Sequence, residues 1–243
     1  MGTAVMITSG KGGTGKTTLC AGVASCLAAL GHRTLCIDLD IGLRSLDLVL
    51  GMSDRVMMDF SDVMAYRSPL MSAAAEHPEI KDLYLLTAPL TPEGLEAERF
   101  REVVEEAKEC FDYVLMDCPA GLGVGFHLAI GAADRAVVVS SVDPVSLRDA
   151  QRSVTELHGL PQVHLVMNRV QPVLIRKLRT SIDNAMDTAG LPLLGVVPED
   201  PTVTMASAAG VPVVLATYKG ASPAYLNISK RILGQRVPLM RIR

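Results

Sequence analysis

The chain has 243 residues, 49% of them hydrophobic, and a formal net charge of −3. This apolar content supports a folded core and excludes intrinsic disorder, and the length fits one α/β domain over residues 1–243. The charge, with no long basic block, argues against specific nucleic-acid binding, and no apolar run is long enough to cross a bilayer.

The chain opens with a buried strand over residues 4–8, a glycine-rich loop and an Ala- and Leu-rich helix over residues 19–30. Gly10, Gly15, Lys16 and Thr17 occupy the fixed positions of the phosphate-binding pattern G-x-x-x-x-G-K-[ST]. In such loops the backbone N–H groups and the helix N-terminus face the phosphates. We expect Lys16 to reach the β- and γ-phosphates and Thr17 to place its hydroxyl on Mg²⁺. The sequence therefore predicts a nucleotide site.

A second lysine, Lys11, follows the first glycine of this loop. A side chain at that position points out of its own cradle and can reach a phosphate that another subunit holds. There it would stabilise transition-state charge, as an arginine finger supplied in trans does. A solvated loop charge is the alternative, and the loop by itself leaves both interpretations open.

Acidic residues end two further predicted strands. The strand over residues 34–38 ends at Asp38, with Asp40 just beyond it, and the strand over residues 113–117 ends at Asp117. The carboxyl edge of a parallel sheet is where α/β folds bind ligands. Asp38 and Asp40 are candidates for the Mg²⁺ shell and for orienting the attacking water, with plain surface acids as the alternative. Asp117 resembles a Walker B aspartate, and Gly121 would let the following loop move with the γ-phosphate.

The remaining pattern alternates between strands and helices without a linker or an internal repeat. It predicts strands over residues 83–86, 136–140, 163–167, 193–197 and 213–216. It predicts two short helices within residues 52–75 and longer ones over residues 93–110, 144–157, 174–189 and 224–233. The predicted fold is a single-domain, doubly wound, mainly parallel sheet of seven or eight strands.

The cysteines and histidines are scattered. Neither C-x-C nor C-x-x-C occurs among the five cysteines, and the five histidines show no metal-ligand spacing. With no charged-then-apolar leader, these cysteines indicate reduced thiols in a cytoplasm. Neither residue type predicts a metal site.

Five stretches resemble segments of one protein family. Residues 9–18, S-G-K-G-G-T-G-K-T-T, resemble the deviant Walker A loop of the MinD/ParA ATPases, which are P-loop NTPases. Residues 37–51, I-D-L-D-I-G-L-R-S-L-D-L-V-L-G, are similar to the switch I stretch of MinD-type septum-site-determining ATPases. D-C-P-A-G at residues 117–121 matches their D-x-P-A-G. Residues 146–150 resemble part of their dimer-facing helix, and residues 196–200 resemble their nucleotide-base segment.

The resemblance implies an Mg²⁺-dependent ATPase that converts ATP to ADP and phosphate as a switch. It implies an ATP-dependent homodimer that regulates placement of the division septum, with MinC- and MinE-like regulators. The location implied is the cytoplasm, with a peripheral position on the inner face of the cell membrane as the alternative.

The same resemblance implies residue roles. Lys11 would act across the dimer, Lys16 on its own nucleotide, and Asp40 would orient the hydrolytic water. The residues expected to cradle the phosphates are Gly12, Gly13, Thr14, Gly15, Lys16, Thr17 and Thr18. Those expected to bind or support Mg²⁺ are Thr17, Asp38 and Asp117. Those expected to hold the adenine are Asn168, Arg169 and the backbone around Pro198 and Glu199.

Two other functions remain open at this level. One is a related ATPase that places flagella or other cargo and differs in its partner rather than in its chemistry. The other is a metal-cluster carrier or metal-insertion ATPase on the same fold, which usually needs paired cysteines at a dimer seam.

The chain departs from the MinD-type pattern in the run Leu122-Gly123-Val124-Gly125, which follows the D-C-P-A-G stretch. The family often has an acidic residue there, so coupling to a partner through this loop is left open.

The last residues form a short basic tail over about residues 234–243. Pro238 cannot continue a helix from the preceding residues. The tail carries apolar Leu239, Met240 and Ile242 together with Arg236, Arg241 and Arg243. Each arginine can contribute about 1 kcal/mol at an anionic lipid surface. The tail is much shorter than the amphipathic helices that usually anchor proteins to membranes, so we expect weak or no membrane binding. A frayed basic terminus is the alternative.

Overall fold

Strands and helices alternate along residues 1–240, the part of the chain that this computed structural model describes. The strands in that range are β1 (Thr3–Thr8), β2 (Thr34–Asp38), β3 (Ala75–Glu76), β4 (Leu83–Leu86), β5 (Tyr113–Asp117), β6 (Arg135–Ser140), β7 (Gln162–Val170) and β8 (Leu193–Pro198). The helices in the same range are α1 (Lys16–Ala29), α2 (Leu46–Leu50), α3 (Phe60–Met64), α4 (Leu70–Ala73), α5 (Ala97–Cys110), α6 (Val124–Ala132), α7 (Pro144–Glu156), α8 (Pro172–Leu178), α9 (Ile182–Ala189), α10 (Pro201–Ala208), α11 (Val213–Ala216) and α12 (Ser222–Ile232).

The strands form one eight-stranded sheet in the order β3-β4-β2-β5-β1-β6-β7-β8. Every pairing is parallel except that of β3 with β4. The predicted mainly parallel sheet of seven or eight strands is therefore confirmed. In this order β1 lies between β5 and β6, so the sheet extends from β1 in both directions and a topological switch point lies at the carboxyl end of β1. α/β folds bind ligands at such switch points.

The core lies on both faces of the sheet, because helices cover both. The central strands are almost entirely buried and apolar, as strands covered on two faces must be. On one face the largest buried side chains include Phe60, Phe100 and Phe126. On the other face α12 packs on α1, where the Tyr225 ring lies so close to Gly22 that a Cβ there would be 2.5 Å from it. A glycine within α1 thus lets the two helices approach.

The single helix predicted over residues 174–189 is wrong. The chain forms α8 and α9 there instead, because Arg179 adopts a left-handed φ of 50° at the end of α8. The Ser181 hydroxyl then accepts a 3.0 Å hydrogen bond from the backbone N–H of Asn184 and caps α9. A local serine cap therefore outweighed the continuous apolar spacing from which the longer helix was predicted.

The strand predicted over residues 213–216 is also wrong, because that run forms the one-turn helix α11. A four-residue apolar run has too little length for its periodicity to separate strand from helix. Pro212 precedes the turn, and its carbonyl accepts the Leu215 N–H at 2.9 Å, which closes it. Four further elements, β3, α2, α6 and α10, were not predicted from the sequence, and α5 begins at Ala97 rather than at residue 93.

Residues 235–240 of the tail form neither helix nor strand. The Arg231 guanidinium donates a 3.1 Å hydrogen bond to the Val237 carbonyl, and Met240 packs against the core beneath α12. The expectations for Arg241, Ile242 and Arg243 fall outside the described residues. Within residues 1–240, no helix combines the length and the apolar character that crossing a membrane requires.

Candidate functional site

The phosphate loop joins β1 to α1 and requires glycine at two positions. Gly13 and Gly15 have φ values of 76° and 87°, a left-handed region that L side chains seldom adopt. Gly15 also lies against the Asn168 amide, with which a Cβ at this position would collide. It is the residue before α1, so the unpaired N–H groups of the first helical turn lie at the loop. This geometry suits an anion.

The two lysines of the loop have different environments. Lys16 is 8% exposed, and its Nζ donates a 3.0 Å hydrogen bond to the Ser9 hydroxyl. Burial lowers the pKa of the Lys16 ammonium, while nearby Asp117 acts in the opposite direction. Lys11 is exposed and lines a cavity of about 260 Å³ with Asp143. The structure thus separates one lysine inside the cradle from one lysine outside it.

The predicted acids meet at the carboxyl edge of the sheet. Asp38 on β2 lies directly opposite Asp117 on β5. Asp38 is fully buried, and its Oδ1 and Oδ2 accept the backbone N–H groups of Asp40 at 2.8 Å and Leu46 at 2.9 Å. Burial raises the pKa of Asp38 to about 6. Both oxygens of Asp38 are therefore engaged by the backbone of the segment that follows β2.

Asp117 is the acid best suited to a cation. It is 1% exposed, and its Oδ1 has no hydrogen-bond partner among the described residues. Burial, and secondarily the charge of Asp38, raise the pKa of Asp117 to about 8. A buried carboxylate oxygen without a donor fits Mg²⁺, which is usually held by one or two carboxylates together with substrate phosphates. The Thr17 hydroxyl lies 3.4 Å from that of Ser45 at the same edge.

Asp40 lies just beyond Asp38 and is half-buried. Burial raises the pKa of its carboxyl, and Lys16 acts to lower it. Within residues 1–240, no group of three or more His, Cys, Asp or Glu side chains is arranged to hold a metal by itself. Four of the five cysteines are buried, and all are unpaired thiols. The geometry thus favours a cation held together with phosphates rather than a cluster site.

The residues predicted to hold a base also come together, although about thirty residues separate them in sequence. The carboxyl ends of β7 and β8 are adjacent, so Asn168 and Arg169 lie beside Pro198 and Glu199. The buried Asn168 amide donates a 2.7 Å hydrogen bond to the Thr14 carbonyl of the loop. Arg169 donates to both Glu199 oxygens, at 2.8 and 3.2 Å, and to the Gly13 carbonyl at 3.2 Å. A cavity of about 280 Å³ is bordered by Asn168, Arg169, Pro198 and Glu199.

One wall of this cavity was not predicted from the sequence. Tyr225 of α12 and residues Val203, Thr204 and Ser207 of α10 line it. Tyr225 is 1% exposed, and burial raises its pKa above the usual range. The available signal was Gly22, an isolated glycine inside an Ala- and Leu-rich helix, which indicates close packing by another element.

The segment after β2 has a second anchor that the sequence did not reveal. Arg44 adopts a positive φ of 47°, and its Nε donates a 2.6 Å hydrogen bond to the Ala88 carbonyl beyond β4. Its guanidinium also pairs with Asp59 at 3.1 Å. The segment that carries Asp40 is therefore tied, through Arg44, to the chain just beyond β4 and to Asp59 beside it.

Comparisons with known proteins agree with this geometry. Residues 5–213 match the family model described as the CobQ/CobB/MinD/ParA nucleotide binding domain. The chain is 40% identical to the septum site-determining protein MinD of Bacillus subtilis, over 98% of this chain and 92% of that protein. It is 34% identical to the MinD of Synechocystis, over 97% of this chain and 91% of that protein.

Two solved structures are similar throughout. A MinC:MinD cell division protein complex from Aquifex aeolicus contains a chain that aligns with a TM-score of 0.91 and 34% identity, over 98% of both chains. The septum site-determining protein MinD of Pyrococcus horikoshii, complexed with Mg-ADP, aligns with a TM-score of 0.84 and 29% identity, over 96% of both chains.

Proposed function

This chain belongs to the CobQ/CobB/MinD/ParA nucleotide-binding family, and from that premise we propose that it is a MinD-type ATPase that regulates placement of the division septum. It hydrolyses ATP to ADP and phosphate and uses Mg²⁺. The observation that carries this conclusion is the convergence, at one sheet edge, of a phosphate loop, a buried carboxylate oxygen to which nothing in residues 1–240 donates, and a base-sized cavity. The chain is 40% identical to a septum site-determining protein over 98% of its length.

Lys16 and the loop from Gly12 to Thr18 bind the phosphates in this proposal. The Lys16 ammonium neutralises β- and γ-phosphate charge from a buried position, where the interaction is stronger than in water. Asn168, Arg169, Pro198 and Glu199 hold the adenine in the cavity that they border. Through its hydrogen bond to the Thr14 carbonyl, the Asn168 amide fixes the position of this cavity relative to the phosphate loop.

The Thr17 hydroxyl and Asp117 would hold Mg²⁺, which when bound neutralises charge on the β- and γ-phosphates. Asp38 supports this site indirectly, since both its oxygens accept backbone N–H groups of the segment that carries Asp40. Asp40 orients the water that attacks the γ-phosphate. Its half-buried position beside the phosphate loop supports this role.

Lys11 acts on a nucleotide held by a second copy of the chain. Its exposure supports this assignment, because an exposed lysine contributes little to its own cradle. Exposed apolar side chains also follow the carboxyl ends of five parallel strands, at the same edge of the sheet as the loop. These side chains are Leu43, Leu90, Leu122, Val145 and Val173. An ATP-dependent homodimer would bury them.

The proposed partners are a MinC-like effector and a MinE-like activator. The first is supported by the Aquifex aeolicus relative, whose structure is a MinC:MinD complex. We propose no specific nucleic-acid partner, in keeping with the net charge of −3. A cytoplasmic location, a peripheral position on the membrane and the weak lipid binding expected of the tail stay predictions.

A depletion experiment with a chemical readout tests the function. Cells that lose this protein should form septa away from their usual position, and the Lys16→Ala variant should not restore it. Purified protein should release phosphate from ATP in Mg²⁺ and stop when EDTA is added. Normal septum placement after depletion, with ATP hydrolysis intact, would point to the cargo-placement alternative.

Two residues at the base cavity should differ in their contribution to nucleotide affinity. Asn168 is buried, so Asn168→Ala leaves the Thr14 carbonyl without its donor and costs about 1–3 kcal/mol, or roughly 5- to 150-fold in ATP affinity. Arg169 is 55% exposed, so Arg169→Ala should cost less than about 1 kcal/mol, or roughly fivefold. Titration with a fluorescent ATP analogue measures both. The reverse order would show that the Asn168–Thr14 bond does not shape the cavity.

A further inference from the structure

The five-residue helix α2 follows directly on the acids of the site. Its first backbone N–H, that of Leu46, donates to Asp38 Oδ2 at 2.9 Å, and Asp38 Oδ1 accepts the Asp40 N–H at 2.8 Å. The Ser45 hydroxyl lies 3.4 Å from that of Thr17. The start of α2 therefore determines where Asp38 and the backbone of Asp40 lie. A helix of this length is too short to hold itself in place, so its position depends on its anchors.

His77 anchors the other end of α2. Its ring is 5% exposed, and Nε2 lies 3.1 Å from the Leu50 carbonyl, the last of the helix. Its Nδ1 accepts the backbone N–H groups of Glu79 and Ile80, at 3.1 and 3.0 Å. Because two donors face Nδ1, the proton of the neutral ring is on Nε2, which donates to Leu50. Burial lowers the pKa of His77, which keeps the ring neutral.

A backbone contact provides a second anchor at the same end. Gly51 ends α2 with a φ of 66°, and a Cβ at this position would collide with the Gly210 carbonyl oxygen. Gly210 follows α10, whose Val203, Thr204 and Ser207 line the base cavity. The carboxyl end of α2 therefore contacts the residues just after α10, the helix that forms one wall of the base cavity.

We infer that His77 and the Gly51–Gly210 contact position α2 for ATP hydrolysis. By fixing the Leu50 end they fix the Leu46 end, and through Asp38 they hold Asp40 at the distance from the γ-phosphate that the reaction needs. His77 and Gly210 line neither of the two cavities at the phosphate loop, so they are positioning residues rather than catalytic residues. This inference rests on the proposed ATPase mechanism and deepens it.

A pair of histidine variants tests the first anchor. In His77→Asn, the side-chain oxygen can replace Nδ1 as the acceptor for the backbone N–H groups of Glu79 and Ile80. The shorter side chain does not reach the Leu50 carbonyl. The amide of Gln in His77→Gln instead falls near Nε2 and can donate to Leu50. A misplacement near 1 Å can cost as much as 10²-fold in rate, so we expect His77→Asn to hydrolyse ATP about tenfold more slowly in a single turnover. His77→Gln should remain within about threefold of the unmodified chain. Both should bind fluorescent ADP normally.

A pair of glycine variants tests the second anchor and does not depend on how the histidine variants fold. Gly51→Ala and Gly190→Ala place alanine at helix ends with nearly equal φ values, 66° and 68°. Both should lose stability to the strain of a left-handed alanine, and Gly51→Ala should lose more, because its Cβ also collides with the Gly210 carbonyl oxygen. A Cβ at Gly190 meets nothing within 4 Å, whereas a Cβ at Gly51 forces α2 away from Gly210. We expect only Gly51→Ala to slow hydrolysis, by about tenfold.

The readouts separate positioning from general destabilisation. Slower hydrolysis with unchanged ADP affinity in His77→Asn and Gly51→Ala supports the inference. Normal hydrolysis in both, or an ADP affinity that falls in step with the rate, overturns it while leaving the ATPase function intact. A full-length unmodified chain that cleaves no ATP in Mg²⁺ would overturn that function and this inference with it.

Discussion

Lys16→Ala should abolish ATP binding, whereas Lys11→Ala should keep most of it. The Lys16 ammonium is buried inside the cradle, so its removal leaves phosphate charge in a poorly solvated place without a partner. Charge-assisted hydrogen bonds are worth about 1.5–3 kcal/mol each, and the loss of two predicts a fall in affinity on the order of 10²-fold or more. Lys11 is exposed, and its loss removes no contact of this kind within one chain.

The Lys11→Ala variant should nevertheless lose ATP-dependent dimerisation and hydrolysis. In other nucleotide hydrolases, a positive side chain supplied in trans stabilises the charge of the transition state and raises the rate by about 10³- to 10⁵-fold. Fluorescent-nucleotide titration and size-exclusion chromatography with light scattering, with and without ATP, separate binding from assembly. Lys81→Ala is the matched control, because that lysine is 89% exposed and far from the loop in sequence. Equal loss of binding in the Lys11 and Lys16 variants would rule out the in-trans role.

The parts of the site that sequence predicted are those encoded in consecutive residues. Gly15, Lys16 and Thr17 specify the loop directly, and an apolar run that ends in an acid places Asp38 and Asp117 at one sheet edge. The regular alternation of strands and helices predicts a mainly parallel sheet, but neither its strand order nor its register. Local pattern was enough wherever one element determines the position of a side chain.

The parts that sequence did not predict depend on contacts between distant segments. Tyr225 reaches the base cavity because α12 packs on Gly22, and His77 reaches Leu50 across 27 residues. Asp38 has both oxygens occupied by backbone donors only because the chain turns back toward it at Leu46. The division of residues 174–189 into α8 and α9 depends on the left-handed backbone of Arg179. Apolar spacing carries no information about any of these contacts.

Asp40→Ala should bind ATP and accumulate as a dimer while hydrolysis falls by on the order of 10²-fold or more. The reason is geometric. Asp38 receives the backbone N–H of Asp40, so the segment keeps its course when the Asp40 side chain is removed. The phosphate loop and the Mg²⁺ site at Asp117 also keep their residues. Binding should survive, and only the orientation of the attacking water is lost.

Phosphate release in a single turnover, measured beside nucleotide affinity and dimer mass, distinguishes this outcome from a general loss of the site. Asp54→Ala is the control, because Asp54 is exposed and lies beyond α2 in the same connection. Burial raises the pKa of Asp40, so the carboxylate costs the folded protein free energy that Asp40→Ala relieves, and the variant should be no less stable than the unmodified chain. A variant that hydrolyses ATP at the normal rate would remove Asp40 from the mechanism. One that fails to bind ATP would instead assign Asp40 to the cradle, alongside Lys16.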